Sequence, residues 1–309
     1  MDRIVDIATD GLHLSAHRGF LLVEQDRAEV GRVALDDVHA LIIHAHGVTW
    51  TGNLVARLAE RGAPLVFCNN HHHPVAVTLP LEGHHAQGAR MQAQWNASRP
   101  LAKRLWRRIV QAKIVMQGAL LDARGIAGGG AFPHMARRVK SGDPDNLEAQ
   151  AARRYWPLLM GADFRRDRDA GGANALLNYG YAVMRATVAR AVIAAGLHPT
   201  IGIQHANRGN AFALADDLVE PFRPLVDALA SAMVAEGVTA LDPAQKRRFA
   251  RLIAFDLRVG GESSPASVAA QRLAHSLARA FETGGTELAL FAPPSPIEWA
   301  AVGRLPASE

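Results

Sequence analysis

Apolar and polar residues alternate in short runs from Arg3 to about Leu79. The runs RIVDI, LHLSA, FLLVEQ and HALIIHA are separated by Asp-Gly, Arg-Gly and Asp-Asp pairs. Alternation of period two bounded by turn residues is typical of half-buried strands. One helix interrupts this pattern, TGNLVARLAERG, with Thr51 as its N-cap and Gly62 as its stop. The pattern therefore predicts a small β-rich domain over residues 1–79.

Beyond residue 88 the apolar positions recur at helical spacing. Helix starts are indicated by Ser98 with Pro100, by Asp143 with Pro144, and by Asn174, while Gly196 indicates an end. Further helices are predicted over 224–236, 243–257 and 264–281. The segment PLEGHHAQG, residues 80–88, has turn residues and no apolar period, so it is predicted to be a linker. Residues 89–309 are then a helical domain, and the fold class is α+β.

Length and composition narrow the choice of partners and compartment. A chain of 309 residues is long enough for two domains. With 34 basic and 29 acidic residues the net charge is +5, which favours a polyanionic partner such as nucleic acid. The single cysteine, Cys68, excludes an intrachain disulfide and a cysteine-based zinc site. Arg185 and Arg190 break the most apolar helical run, so we expect a cytoplasmic protein without a membrane span.

One segment concentrates unusual polar residues in an otherwise apolar stretch. GIQHANRGNAFALADDLVEPFRPLVD, residues 202–227, contains one histidine and three acids. Asp217 and Glu220 are spaced i and i+3 and share a helix face. Pro221 disfavours α geometry at Glu220, which predicts an interruption where that carboxylate projects. His205, on the preceding loop, can reach the same point.

Glu148 is the further candidate for this site. It lies near the start of the helix that follows Asp143, among small residues that leave room for another segment or a ligand. One imidazole and two or three carboxylates from separate elements suit Mg²⁺ or Mn²⁺, and the histidine favours Mn²⁺. By spacing alone, an acidic pair is more typical of a solvated helix face and a loop histidine of a hydrogen-bonding residue.

Three stretches carry a family resemblance. NLEAQAARRYWPLL, NALLNYGYAVMRATVARAVIAAGLHPTIGIQH and NAFALADDLVEPFRPLVD, in this order behind a β-rich domain, resemble the universal integrase subunit of CRISPR adaptation. The resemblance covers essentially the whole chain. It implies a small N-terminal β-sandwich domain followed by a larger all-α catalytic domain, and a homodimer formed through the N-terminal domain.

The same resemblance implies the site residues. Glu148, His205 and Glu220 fall on the positions of the family that bind the catalytic divalent metal, and the family's additional acid falls on Asp217. The third ligand of the family is more often Asp. Glu220 resembles the branch that accompanies the large single-protein RNA-guided nuclease.

The activity that the resemblance implies is that of a divalent-metal-dependent DNA endonuclease and integrase. Its substrate is a short duplex DNA whose 3′-hydroxyl ends are joined into a repeat array by phosphodiester transesterification. A small ferredoxin-like subunit bridges two dimers. The metal, Mg²⁺ or Mn²⁺, polarises the scissile phosphate, and no covalent intermediate is needed. Alternatively, His205 orients a phosphate or shuttles a proton.

Two other functions use the same residues. The first is a nonspecific metal-dependent DNA nuclease. The second is a noncatalytic DNA-binding scaffold in which the acids form helix caps and ion pairs.

Basic residues occur in several clusters on the predicted helical domain. Each alone is typical of a solvated helix face, but their number on one domain favours contacts with DNA phosphates. The candidates are Lys103, Arg104, Arg107, Arg108, Arg137, Arg138, Arg153, Arg154, Arg165, Arg166, Lys246, Arg247 and Arg248. The histidine tracts His71–His73 and His84–His85 adjoin the predicted linker without acidic companions, and we interpret them as solvated turn residues.

Overall fold

The structure, a computed structural model, describes residues 3–69, 74–78, 80, 84–205 and 209–307. The chain divides into two compact units, Met1–His85 and Ala86–Glu309. This division lies inside the segment 80–88. The first unit is built of strands and the second mainly of helices, so the predicted α+β class is confirmed.

Two four-stranded sheets make up the first unit. Their strands are β1 Arg3–Ile7, β2 Leu12–His17, β3 Phe20–Gln25, β4 Ala28–Ala34, β5 Val38–Ile43, β6 Thr49–Trp50, β7 Leu65–Cys68 and β8 Pro74–Val77. One sheet has the order β1-β5-β7-β8 and the other β4-β3-β2-β6. The strands β1, β5 and β7 are parallel, and every residue of β5 is buried, as expected for a central strand covered on both faces.

Local sequence explains the turns of this unit. The hairpins β2–β3 and β3–β4 are closed by Arg18-Gly19 and Asp26-Arg27, all four with φ between 48° and 84°. Two left-handed residues in succession give a turn whose twist matches that of the strands. Thr51 Oγ1 accepts a hydrogen bond from Leu54 N at 3.3 Å and so caps the helix α1, Gly52–Glu60, as predicted.

Apolar residues from both sheets and from α1 form a single core. Leu14 and Leu21 come from one sheet, Leu41 and Leu65 from the other, and Leu54 from α1. The first unit is therefore the predicted sandwich. Its role in dimer formation stays a prediction.

Ten helices and one hairpin are described in the second unit. The helices are α2 Gln87–Trp95, α3 Arg99–Ala123, α4 Ala131–Arg138, α5 Leu147–Met160, α6 Ala173–Ala194, α7 Ala213–Leu218, α8 Arg223–Ala235, α9 Pro243–Ala250, α10 Ala266–Thr283 and α11 Pro296–Gly303. Two antiparallel strands, β9 Asp256–Val259 and β10 Glu262–Pro265, lie between α9 and α10. Of the helices that the structure describes, none is both long and apolar enough to cross a bilayer.

The hairpin corrects the prediction of an all-α second domain. The helix predicted over 243–257 ends at Ala250, continues as a 3-10 turn to Ala254 and then becomes β9. Gly260 and Gly261 have φ of 60° and 90° and form the tight turn between the strands. A Gly-Gly pair between short runs is a hairpin signal, and the helical spacing of the preceding residues masked it.

Polar side chains cap some of the helix starts. Ser98 Oγ accepts from Leu101 N at 3.4 Å and caps α3. Asp143 lies outside α5, yet its carboxylate accepts from the amides of Leu147 and Glu148 at 2.9 Å each. Asn174 differs from the prediction, because it lies within the first turn of α6. Its side chain instead binds the segment 165–167.

Close packing around α6 gives a stability prediction. A Cβ on Gly180 would lie 2.4 Å from Val226 Cγ1 and 2.7 Å from ring atoms of Phe249. We expect Gly180→Ala to lower the free energy of unfolding by about 1–3 kcal/mol, because overpacking outweighs the gain in helix propensity. Gly88→Ala on α2 is the control, since its Cβ would meet nothing within 4 Å, and it should be neutral or stabilising. Urea unfolding of both variants measures the difference, and equal stabilities would contradict the packing argument.

Candidate active site

A polar cavity of about 290 Å³ lies within the second unit. Its walls come from α3, α5 and α6, from Arg166 and Arg168, from His205, and from residues 220–227. Glu148, His205 and Glu220 all line it, although they are up to 72 residues apart along the chain (148 to 220). Asp217 is the exception among the four predicted site residues, because it lies behind the wall and is fully buried.

Lys113 lies at the point where the two glutamates meet. It projects from α3 and is only 8% exposed. Its Nζ lies 2.5 Å from Glu220 Oε2 and also pairs with Glu148 Oε1. Sequence reasoning missed this residue. The signal was a charged side chain among the buried residues of α3, since a lysine is almost never buried unless it is paired.

Glu220 is held as a carboxylate by cations on both sides. A 3-10 turn, Glu220–Phe222, separates α7 from α8, which confirms the interruption predicted from Pro221. Arg223 Nε donates to Glu220 Oε1 at 2.9 Å. Burial alone would raise the pKa of Glu220, but Arg223 and Lys113 outweigh it and lower the pKa to about 2. Burial alone would lower the pKa of Lys113, but the carboxylates of Glu220 and Glu148 outweigh it and raise this pKa.

Asp217 positions the histidine loop. Its carboxylate accepts hydrogen bonds from the amides of Ile203, Gln204 and His205 at 2.5, 3.0 and 3.2 Å. Its Oδ1 also lies 2.6 Å from His205 Nδ1, and this bond raises the pKa of the imidazole. The ring is thereby fixed through Nδ1, which leaves Nε2 as the nitrogen for binding. The position of Asp217 supports an orienting role, and its role as a metal ligand stays a prediction.

Gly202 makes this arrangement possible. A Cβ at this position would lie 2.4 Å from His205 O and 2.9 Å from Asp217 Oδ2. Only glycine therefore lets the loop close around the carboxylate. On the other side of the imidazole, Trp106 approaches it edge-on with ring centroids 5.9 Å apart.

The residues present fit a divalent cation. Among the described residues, no group of three or more His, Cys, Asp and Glu side chains is already placed so that it could hold a metal ion. Two carboxylates nevertheless converge on one cation, the ammonium of Lys113. Glu220 Oε2 is buried, and in the described part of the chain the ammonium of Lys113, 2.5 Å away, is the partner that compensates it. With His205 in the same cavity, this is the oxygen-rich donor set that Mg²⁺ and Mn²⁺ prefer.

A buried acid that lines the cavity accepts hydrogen bonds from two tyrosines. Asp227 accepts from Tyr155 Oη at 3.0 Å and from Tyr181 Oη at 2.5 Å. The guanidinium groups of Arg223 and Arg166 lie 4.5 and 5.5 Å from the centre of the Tyr181 ring. Asp227 therefore fixes Tyr181. Arg223, which pairs with Glu220, packs on the ring of Tyr181.

Burial of Asp227 gives a pH prediction. Burial raises its pKa from 3.8 to about 6, although the two tyrosines and the nearby Arg223 and Lys113 oppose the shift. The folded state then binds this proton more tightly than the unfolded state. This contribution to stability is complete below about pH 4 and is lost as the pH rises through 6, a change on the order of 3 kcal/mol.

Urea unfolding between pH 4.5 and 7.5 measures this contribution. Asp227→Asn cannot lose the proton, so its stability relative to the wild type should increase as the pH rises. Asp36→Asn is the control, because the Asp36 side chain is 86% exposed, and its profile should parallel that of the wild type. Parallel profiles for Asp227→Asn and the wild type would contradict the prediction.

Most of the predicted DNA contacts lie on the surface. The exposed ones are Lys103, Arg104, Arg107 and Arg108 on α3, Arg137 and Arg138 on α4, Arg153 and Arg154 on α5, and Arg165 and Arg247. Arg166 is partly buried, lines the cavity and donates to Asn174 and Asn178. Lys246 is also partly buried, with Nζ 5.3 Å from the centre of the Tyr179 ring.

Arg248 was predicted to contact DNA, but the structure places it in the interior. Its guanidinium is 8% exposed and donates to both carboxylate oxygens of Glu236 and to the carbonyls of Gly303 and Leu305. It therefore ties α9 to the C-terminal segment and is not available to phosphates. Of the histidine tracts, His84 and His85 have ring centroids 4.2 Å apart, while His71–His73 lie outside the described residues.

The fold and this cavity define an α+β protein whose helical unit brings carboxylates, an imidazole and cationic side chains together in one cavity. The family described as "CRISPR associated protein Cas1" matches residues 5–248. A CRISPR-associated endonuclease Cas1 from Neisseria meningitidis serogroup C (strain 8013) is 34% identical over 281 residues, 90% of each chain. The chain belongs to the Cas1 family.

Solved structures share the fold. A casposase bound to integration product superposes with a TM-score of 0.79 at 19% identity, over 93% of both chains. A chain of a Cas6-RT-Cas1–Cas2 complex superposes with a TM-score of 0.72 at 19% identity, over 93% of this chain and 35% of the larger one. The resemblance seen in the sequence is therefore confirmed at the level of the family, whereas the association with a large RNA-guided nuclease stays a prediction.

Proposed function

We propose that this protein is a divalent-metal-dependent DNA integrase of CRISPR adaptation. It joins the 3′-hydroxyl ends of short duplex DNA into a repeat array by phosphodiester transesterification. One observation carries the proposal: the carboxylates of Glu148 and Glu220 converge on a cation in a cavity that His205 also lines. The family supports it, since its relatives include named endonucleases and its fold is shared with a casposase bound to integration product.

Several residues in and behind the cavity wall have a part in this chemistry. Glu148, Glu220 and His205 would hold Mg²⁺ or Mn²⁺, which supplies charge stabilisation at the scissile phosphate when bound. Asp217 holds His205 in its orientation. Arg223 and Arg166 place two further positive charges at the cavity wall, where they can stabilise a phosphate that enters. The ring of Trp106 packs edge-on against the imidazole and helps to hold it in place.

The partners follow from the same proposal. Duplex DNA would lie across the exposed basic residues of the helical unit, and the protein would act as a homodimer. The Cas6-RT-Cas1–Cas2 complex supports an adaptation partner, which in this proposal is a small subunit that bridges two dimers.

A strand-joining assay tests the proposal. A short duplex with labelled 3′-hydroxyl ends is incubated with a supercoiled plasmid that carries a repeat array, with Mn²⁺, with Mg²⁺ and with EDTA. Joined, labelled plasmid in the presence of either metal is the expected result. Hydrolysed products without joining would instead indicate a nonspecific nuclease.

The scaffold alternative has one specific observation in its favour, namely that Glu148 and Glu220 already form ion pairs with Lys113. It requires that neither metal supports any DNA chemistry. It also requires that Mn²⁺ leaves the melting temperature of the protein unchanged, because a ligand of the folded state would raise it.

A further inference from the structure

Lys113 occupies the position that a cation shared by Glu148 and Glu220 would take. Its Nζ pairs with one oxygen of each carboxylate, and all three side chains line the same cavity. We infer that Lys113 is an internal counter-ion that competes with the divalent metal: it holds the two glutamates together in the metal-free protein and moves away when the metal binds. The inference rests on the proposed function, since it takes the cavity as a divalent-cation site.

Electrostatics explains why the metal-free site needs such a residue. Glu220 is 6% exposed, and Glu148 points at the same place, so without a cation between them the two carboxylates would repel each other. Leaving a buried charge without its partner is strongly destabilising. Lys113 and Arg223 together offset the charges of the two glutamates, which keeps the site assembled before the metal arrives.

The same charges make Lys113 and the metal mutually exclusive. An ammonium within ion-pairing distance of both carboxylate oxygens fills the space that a metal needs to bind them. If Lys113 stayed in place, a divalent cation would also face its positive charge at short range in a poorly solvated site. Metal affinity is therefore reduced by the free energy needed to displace the ammonium.

Gln117 offers the displaced ammonium a new acceptor. It lies one turn beyond Lys113 on α3, so the two side chains are i, i+4 neighbours on the helix. It lines the cavity and is 2% exposed, and its Oε1 has no hydrogen-bond partner in the described part of the chain. A lysine side chain has four rotatable bonds, so the Nζ of Lys113 can turn toward this oxygen without leaving the cavity.

A metal titration without DNA tests the inference. Isothermal titration calorimetry with MnCl₂ is carried out on the wild type and on Lys113→Met, which keeps the chain length and removes the charge. We expect the variant to bind Mn²⁺ at least about 10-fold more tightly, because neither displacement nor repulsion opposes the metal. We also expect the metal-free variant to melt at a lower temperature and to gain more from Mn²⁺ than the wild type does.

Two further lysine variants complete the set. Lys113→Gln is the second form of the test, since a neutral polar side chain keeps the fold if methionine does not. Lys140→Met is the matched control, because Lys140 is exposed and pairs with Asp145 at 2.7 Å outside the cavity. Its Mn²⁺ affinity should equal that of the wild type.

The outcomes separate this inference from the proposed function. If the wild type and the Lys113 variants all fail to bind Mn²⁺, the cavity is not a metal site and the proposed function is contradicted. If the wild type binds Mn²⁺ and removal of the Lys113 charge leaves the affinity unchanged or weaker, only the competition is overturned. Gln117→Leu should weaken Mn²⁺ binding, since the displaced ammonium loses its acceptor, and unchanged affinity would exclude the move toward Gln117.

Discussion

Glu220→Gln should reduce strand joining by at least about 1,000-fold, while the affinity for duplex DNA changes by less than about threefold. The carboxylate of Glu220 is more deeply buried than the side chains of Glu148 and His205 and is ionised at every pH near neutrality. An amide of the same shape keeps the packing but offers the metal a neutral oxygen in place of a charged one. The loss therefore falls on the chemical step and on metal binding, since the DNA contacts proposed on the surface are unchanged.

The rate at which joined product forms, measured with saturating DNA, gives the size of this effect. Glu287→Gln is the matched control, because this glutamate is 92% exposed and lies outside the cavity. Urea unfolding of both variants establishes that each is folded, since Lys113 and Arg223 lose a partner in Glu220→Gln. Joining at the wild-type rate by folded Glu220→Gln would exclude Glu220 from the catalytic site.

Replacing the four exposed basic residues of α3 by alanine should lower the affinity for duplex DNA on the order of 100-fold at physiological salt. Lys103, Arg104, Arg107 and Arg108 are all exposed, and their spacing places them on one side of the helix. Each phosphate contact that is lost also lowers the slope of log Kd against log salt by about 0.9. Arg108 should contribute least, because its guanidinium lies 3.9 Å from Glu287.

Fluorescence anisotropy at several salt concentrations measures both quantities on the fourfold alanine variant. Arg258 and Arg272 provide the control, since they are surface arginines that pair with Glu298 and Glu262 at 2.8 and 2.9 Å. Their double alanine variant should lose less than about threefold in affinity, because a neighbouring carboxylate already neutralises each charge. An unchanged salt slope in the fourfold variant would show that DNA does not contact this face.

Local signals in the sequence predicted the fold well. The N-caps Thr51 and Ser98 and the interruption at Pro221 depend on residues within one turn of each other, so a short window contains all the information. Alternation predicted the strands of the first unit for the same reason. The hairpin around Gly260 was missed because a helical pattern precedes it directly, and the two signals overlap.

The candidate site could be predicted only in part. Glu148, His205 and Glu220 were proposed from residue type and spacing and then matched to the family's positions, and the structure brings them to one cavity. Lys113 was missed, because its role depends on two carboxylates that lie 35 and 107 residues further along the chain (148 − 113 and 220 − 113). Arg248 was assigned to the DNA surface because a basic cluster in the sequence does not reveal which member faces inward.

Anomalous diffraction from a crystal soaked in Mn²⁺ tests whether Glu148, Glu220 and His205 hold the metal. We expect a manganese peak in the cavity, about 2 Å from carboxylate oxygens of both Glu148 and Glu220 and within coordination distance of His205. We also expect that Lys113 Nζ no longer lies between the two glutamates. A cavity without a manganese peak, at Mn²⁺ concentrations that support strand joining, would show that these residues do not bind the metal.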